Sequence, residues 1–377
     1  MTTHPLGNLV IPRERHVLVT GLPNYLAVQI VWRILRNEPD AQVTAVVRPD
    51  LLPRAEQALG RRPEGRSRVL LIPGDVVHPH LGLPPRERER VEGECTDIIH
   101  LASLYHLGVD KRLAEEVNIQ GARNVLALAE RLRGLVRLSH FSTAFVAGDR
   151  EGVILEEELE RGQRFRNTFE RTKFTAEVEV RRRMASLPIS VFRPSIVVGD
   201  SRSGEIDRLD GPYFFLQMFV VSPTRLPLPL PSTANYPLNI VPVDHVARAA
   251  HALGLNPWAE GRTFHLVDPN PLGLRDAFRL FAEAAGRRAP RGSVPGWIGQ
   301  RLLSLPAVER MTRNSRAFLQ ELDALTLFNS MNTLEGLAST GIRCPPLPNY
   351  VERLVGFIRR HDQQWTDAAQ EDVVMGP

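Results

Sequence analysis

Hydrophobic residues in this chain fall into two rhythms, short unbroken apolar runs and longer stretches at helical spacing, which take turns from residue 16 onward. The run H-V-L-V-T (His16 to Thr20) is β-branched and apolar, so it predicts a strand. Tyr25 to Arg36 follows with Leu26, Ile30 and Ile34 on one helical face and a stop near Pro39. Further strands are expected at Val43 to Val47, Val69 to Ile72, Asp97 to Leu101, Leu135 to Phe141, Ile189 to Arg193 and Thr263 to Val267. Helical patterns separate them, most clearly at Leu113, Val117, Gly121, Val125, Leu128 and Leu132, and again over 168 to 186, where Phe169, Lys173, Ala176 and Val180 share a face. Strands alternating with helices predict an α/β fold, a doubly wound parallel sheet covered on both faces.

The texture changes after residue 200. Residues 200 to 240 are rich in aromatics and proline (Pro223, Pro227, Pro229, Pro231, Pro237), a composition suited to an irregular lobe over a cleft. Helix resumes at Val243 to Leu253, and 274 to 361 reads as mainly helical. The expected division is therefore a sheet domain of residues 13–200 plus 240–268, a smaller and mainly helical C-terminal substrate lobe of 201–239 plus 269–361, and a flexible tail, 362–377. No internal repeat is visible.

With 377 residues, 43% hydrophobic and 24% charged, the chain can bury a substantial core. The formal net charge is only +4, and R-E-R-E-R at 86 to 90 and R-R-R at 181 to 183 have acidic neighbours, so both read as solvated helix faces and nucleic acid is not an expected partner. Cys95 and Cys344 lie far apart, without metal-binding or disulfide spacing, and no metal site is expected, His78-Pro79-His80 included. No stretch of 18 uncharged apolar residues occurs and M-T-T-H-P-L-G-N lacks the pattern of a secretion signal, so the expectation is a cytoplasmic protein without a membrane span.

Candidate chemistry begins directly after the first strand. T-G-L-P-N-Y-L-A (20 to 27) stands where a dinucleotide-binding loop would read T-G-x-x-G-x-x-G: Gly21 is kept, Asn24 replaces the second glycine and Ala27 the third. Alanine is a mild change, because that glycine only permits close helix-to-strand packing. Asn24 is the larger one. The second glycine lets the backbone approach a diphosphate, and an amide side chain there competes for the space, although asparagine tolerates a left-handed backbone. Arg48 ends the second strand, where it could pair with an adenosine 2′-phosphate, and Asp75 in P-G-D could contact adenine; an exposed arginine and a turn aspartate are the plain alternatives. Of the 47 basic residues only Lys111 and Lys173 are lysine, so a lysine retained four residues after Phe169 marks a position where a planar guanidinium would not serve equally.

Taken in order, the glycine-like loop, Asn118, Ser142-Thr143 and F-x-x-x-K (Phe169 to Lys173) resemble the extended short-chain dehydrogenase/reductase superfamily over about residues 15 to 360. H-L-A-S-L-Y-H-L (100 to 107), N-I-Q-G-A-R-N-V (118 to 125), F-R-P-S-I-V-V-G (192 to 199) and D-S-R-S-G-E (200 to 205) look most like its branch of thioester reductase domains and fatty acyl-CoA reductases. The resemblance implies a Rossmann fold, NADPH, and a tetrad of Asn, Ser or Thr, Tyr and Lys. Asn118 would hold a water in a proton relay, Thr143 would bond a substrate carbonyl, and Lys173 would bind the nicotinamide ribose, with Pro194 and Ser195 lining the nicotinamide pocket. Phe169 stands where that tetrad has tyrosine. Read without the resemblance, Asn118 could bridge buried backbone, Thr143 be a strand-end hydroxyl bonded locally, and Phe169 an ordinary core aromatic.

A benzene ring holds no titratable proton, and positioned acid-base catalysis contributes about 10²- to 10⁴-fold. The expectation is therefore a reductase fold that is catalytically impaired and acts by binding, as a sensor of a nucleotide or acyl ligand or as a protein partner or homodimer. The alternative is an active NADPH-dependent oxidoreductase with a substitute proton donor, for which Tyr105, His106 or a water held by Thr143 and Lys173 are the candidates.

Overall fold

In the computed structural model, which describes residues 15–104, 110–207, 213, 216, 235–287 and 325–361, the first apolar run forms strand β1 (His16–Thr20). The alternation continues through α1 (Tyr25–Asn37), β2 (Gln42–Val47), α2 (Leu52–Gly60), β3 (Val69–Pro73), α3 (Pro85–Glu94) and β4 (Asp97–His100). Next come α4 (Lys111–Ala114), a π-helical turn over Glu115–Gln120, α5 (Gly121–Ala129), β5 (Arg137–Phe141), β6 (Gly152–Ile154), α6 (Thr168–Arg183), β7 (Ile189–Pro194) and β8 (Ile196–Val198). The described remainder holds β9 (Ile240–Pro242), α7 (Val243–Leu255), β10 (Thr263–Leu266), α8 (Leu274–Ala284), β11 (Thr326–Phe328) and α9 (Met331–Leu337).

All seven expected strands pair in one parallel sheet, in the order β10-β7-β5-β4-β1-β2-β3. Alternate side chains of β1 explain its two covers. Val17 and Val19 pack under Ile30 and Ile34 of α1 and Val246 and Leu253 of α7, while Leu18 faces Val125 and Leu128 of α5 and Val180 of α6. Burying each such side chain contributes about 1.5–3 kcal/mol, so both faces of the sheet must be covered. Strand order reverses between β1 and β4, and a crevice opens beyond their carboxyl ends. A second cluster, with Tyr213, Leu238, Phe278, Phe281 and Leu354 among its buried members, forms a separate core.

The helix expected across 111 to 132 is interrupted by the π turn, which adds one residue to the rung and is a frequent mark of functional sites. Two small parallel pairings, β6 with β11 and β8 with β9, were not legible, and β11 lies within the stretch read as mainly helical. Tyr105, His106, most of 208–234 and the tail 362–377 lie outside the described residues. Among the described residues no helix is long and apolar enough to cross a membrane.

Candidate functional site

Where β1 runs into α1, the chain must turn against the exit of β4. A Cβ on Gly21 would stand 2.7 Å from Ala102 N and Leu101 C, and its φ is +101°, so glycine is required there for both reasons. Beside it a cavity of about 780 Å³ opens at the sheet's reversal point, lined by Gly21, Asn24, Arg48 and Asp75, with Arg54 from α2 and Glu205. Four positions picked out in the sequence thus meet in one cleft. Ala27 is fully buried beneath it, where α1 packs on the sheet.

Asn24 has a role the sequence reading did not include. Its backbone has φ −48° and ψ 136°, so no left-handed residue is needed, and its Oδ1 caps α1 by accepting from Leu26 N at 2.9 Å. The side chain is turned onto the helix; it claims a donor, not merely space. The neighbouring donors are also committed. Pro23 has no N–H, Asn24 N donates to Gly21 O at 2.9 Å, and Tyr25 N donates to Asp207 Oδ2 at 3.0 Å. Farther along the cleft, Arg48 forks onto Asp50 through Nε (3.1 Å) and a terminal nitrogen (2.7 Å), a half-exposed pair of little energetic weight from which the guanidinium can be recruited. Asp75 lines the cleft while its Oδ1 accepts from Val77 N, which fits the turn-aspartate reading as well as the ligand-facing one.

At the other end, Asn118 sits in the π turn and is buried. Its Oδ1 accepts from Ser103 Oγ (3.0 Å) and Leu104 N (2.8 Å); its Nδ2 donates to Leu104 O (3.0 Å) and Thr172 Oγ1 (2.9 Å). These four bonds use the amide's two acceptances and two donations, and through them Asn118 ties the loop after β4 to α6. Thr143, just after β5, accepts from Phe145 N at 3.3 Å and donates to Pro194 O at 3.4 Å, which sets its hydroxyl between the ends of β5 and β7.

Lys173 lies one helical turn after the half-buried Phe169, is itself buried, and donates from Nζ to Phe141 O at 2.6 Å. One turn further, Glu177 accepts from Ser142 Oγ at 2.5 Å and pairs with Arg193 of β7 at 2.7 Å. The ends of β5 and β7 and one face of α6 are thereby locked together, bringing Thr143, Lys173 and Pro194 to one place. Ser195 follows, buried, with an Oγ that has no hydrogen-bond partner among the described residues. Sequence reasoning missed Glu177 and Arg193. Their signal was an acid four residues after Lys173 and a charged residue inside an otherwise apolar strand, neither of which suits a buried position unless paired.

Burial lowers the Lys173 ammonium to about 8, partly countered by Glu177. Since the folded value lies below the ordinary 10.5, the unfolded chain binds the extra proton between these limits and folding gains stability as pH rises from 8 to 10.5. Relative to a Lys173→Met variant, the wild type should gain up to roughly 3 kcal/mol over that window in chemical denaturation, and a flat difference would contradict the assignment. Two further bases lie buried nearby. His100, bonded to Thr20 Oγ1 at 2.8 Å, is lowered by burial to about 3, and His140, 5.4 Å from it ring to ring, is also held low by burial and by Lys173. Both stay neutral near pH 7, so neither offers an imidazolium as a proton donor.

Residues 19–250 match the model of a family described as male sterility protein, an NAD-binding family. The fatty acyl-CoA reductase wat of Drosophila melanogaster is 25% identical over 241 residues, 53% of this chain and 47% of that protein. The aldehyde reductase lnaA of Aspergillus flavus is 28% identical over 296 residues, 72% of this chain and 28% of that protein. The chain spans less than half the length of either curated relative. Among solved structures, the terminal R domain from the myxalamid PKS-NRPS biosynthetic pathway superposes with a TM-score of 0.81 at 24% identity, covering 95% of this chain and 93% of that one, a likeness of fold.

Proposed function

The chain belongs to the male sterility protein family, within the extended short-chain dehydrogenase/reductase fold, and from that premise we propose that it binds an NADP-type dinucleotide yet carries out ordinary hydride transfer poorly, acting chiefly by binding. The observation that carries this reading is Phe169, one helical turn before the buried Lys173, where the proton donor of a reductase would stand. Among the described groups nearby, the Thr143 hydroxyl is a far weaker acid than a phenol, and burial holds His100 and His140 neutral.

The cleft suits one half of the cofactor better than the other. Arg48 and Arg54 line it and could supply the cation that an adenosine 2′-phosphate needs, and Asp75, on the same lining, would meet adenine. At the diphosphate position the chain's own groups hold the donors. NADPH, when bound, supplies a hydride; this chain's part would be to orient it through Arg48 and Lys173 and to present an acyl or carbonyl ligand beside Thr143. The biological outcome is then nucleotide or acyl-ligand sensing, or partnership with another protein or a second copy.

The alternative, a working NADPH-dependent reductase of acyl thioesters, aldehydes or ketones, draws support from Lys173 itself. An ammonium brought to about 8 is poised to pass a proton through a water to a carbonyl oxygen, at reduced efficiency. Incubation of purified protein with NADPH or NADH and panels of all three substrate classes separates the two. Binding without consumption is the expected result, whereas turnover approaching the usual enzyme median of about 10 s⁻¹ would sink the binding reading.

A further inference from the structure

The helix head at α1 is the natural anion site of a dinucleotide cleft, because its first N–H groups and the helix dipole both favour negative charge. In this chain that charge is already provided from within. Tyr25 N–H donates to Asp207, 182 residues further along, and with Pro23, Asn24 and Leu26 accounted for, residues 23 to 26 offer no uncommitted N–H. Glu205 reaches the same cleft and pairs with Arg61 at 3.2 Å. Two carboxylates therefore stand where a diphosphate would bring its own two charges.

The strap bearing them is built, not draped. Asp200 Oδ1 caps the turn by accepting from Arg202 N (2.8 Å) and Ser203 N (2.9 Å), and Asp200 N closes it on Glu205 O at 2.9 Å. Ser201 bonds Asp244 in the first turn of α7 through its N (2.8 Å) and Oγ (2.9 Å). Gly204, at φ +76°, passes so close to the helical run 351–361 that a Cβ would sit 2.1 Å from Arg353 O. Arg353 in turn donates to Arg202 O at 2.6 Å. The turn that leads to Asp207 is thus anchored by α7 and by the C-terminal helical run together.

We propose that Asp207 is an intramolecular stand-in for the cofactor's diphosphate, so that a dinucleotide enters only when the 205–207 strap lifts from the head of α1. The inference rests on the reading that this cleft takes an NADP-type nucleotide. It makes nucleotide binding conditional on the strap's anchorage, since whatever loosens Arg353 or Asp244 from the turn would open the site. A carboxylate and a phosphate cannot share one backbone donor, and their like charges exclude each other at contact distance.

The test compares wild type, Asp207→Asn and Asp207→Ala for binding of NADPH and of adenosine 2′-monophosphate, which fills the adenosine end but carries no diphosphate. A charge-assisted bond to a backbone donor is worth enough that Asp207→Ala should tighten NADPH by at least about tenfold, with Asp207→Asn intermediate because it removes charge but keeps an acceptor. Adenosine 2′-monophosphate should change by less than about twofold. Equal tightening of both ligands would overturn the proposal by showing a general field effect. Unchanged NADPH affinity, with the monophosphate still bound, would overturn the strap's role while sparing the cofactor reading. If neither ligand binds any of the three proteins, the cofactor reading falls and the strap's role with it. Thermal melts of both variants verify folding, and the milder Asp207→Asn keeps the comparison decisive if Asp207→Ala proves unstable.

Discussion

Phe169→Tyr is expected to raise NADPH-dependent carbonyl reduction by about 10²- to 10⁴-fold, the usual worth of a positioned acid. Phe169 and Lys173 project together from α6, and Phe169 is half-buried, so a para hydroxyl adds a polar atom without sealing it in an apolar core. The Lys173 ammonium one turn away would favour the phenolate and lower the phenol's pKa toward the working range. Single-turnover oxidation of NADPH, at saturating nucleotide and with an aldehyde or acyl-thioester panel, reads the effect independently of the strap over α1. Adding Lys173→Met to the tyrosine variant should remove most of the gain. If tyrosine changes nothing while NADPH demonstrably binds, the site is remodelled and not dormant, and the committed hydrogen bonds of Asn118 and Thr143 become the reason.

Those same residues show what a sequence can and cannot disclose. The seven strands were legible because parallel strands buried on both faces are continuous apolar runs, and α6 because Phe169, Lys173, Ala176 and Val180 repeat at its period. The capping role of Asn24 was missed although its signal is local. Asparagine just before a helical pattern is a cap, and treating it only as a lost glycine hid that role. The contacts that decide how the site works are different in kind. Asp207 meets Tyr25 across 182 residues and Arg193 meets His265 across 72, and no periodicity encodes such pairings. The commitment of Asn118 was beyond reach for another reason: an amide's partners depend on a loop, 103–104, with no regular pattern.

Removing the carboxylate of Glu177 is expected to cost more stability than any other substitution in the site, about 3–5 kcal/mol, because it strands a buried cation. Arg193 and Glu177 are 1% and 0% exposed, and the carboxylate takes the Arg193 Nε and terminal nitrogen, Arg181 Nε at 2.8 Å and Ser142 Oγ. Without it, Arg193 retains only the carbonyls of Glu156 and Glu158 and the ring of His265, none of which carries a compensating charge, since burial holds that histidine neutral. Glu177→Ala should therefore melt about 4–6 °C lower, whereas Glu177→Ala combined with Arg193→Met should recover much of the loss, since replacing both members of a buried pair is far less costly than breaking it. The pH dependence has a definite sign. Burial alone would raise the Glu177 carboxyl, but Arg193 and Arg181 more than offset it and hold the group below its ordinary 4.5, so its contribution is present above pH 4.5 and fades as pH falls below that. The gap between wild type and Glu177→Ala should accordingly narrow in acid. The consequence reaches the site, because Ser142 precedes Thr143, Arg193 precedes Pro194 and Lys173 lies one turn before Glu177. In the Phe169→Tyr background, Glu177→Gln should thus lower the rate at temperatures where the protein remains folded, and full activity there would show that the pair holds the fold without aligning the site.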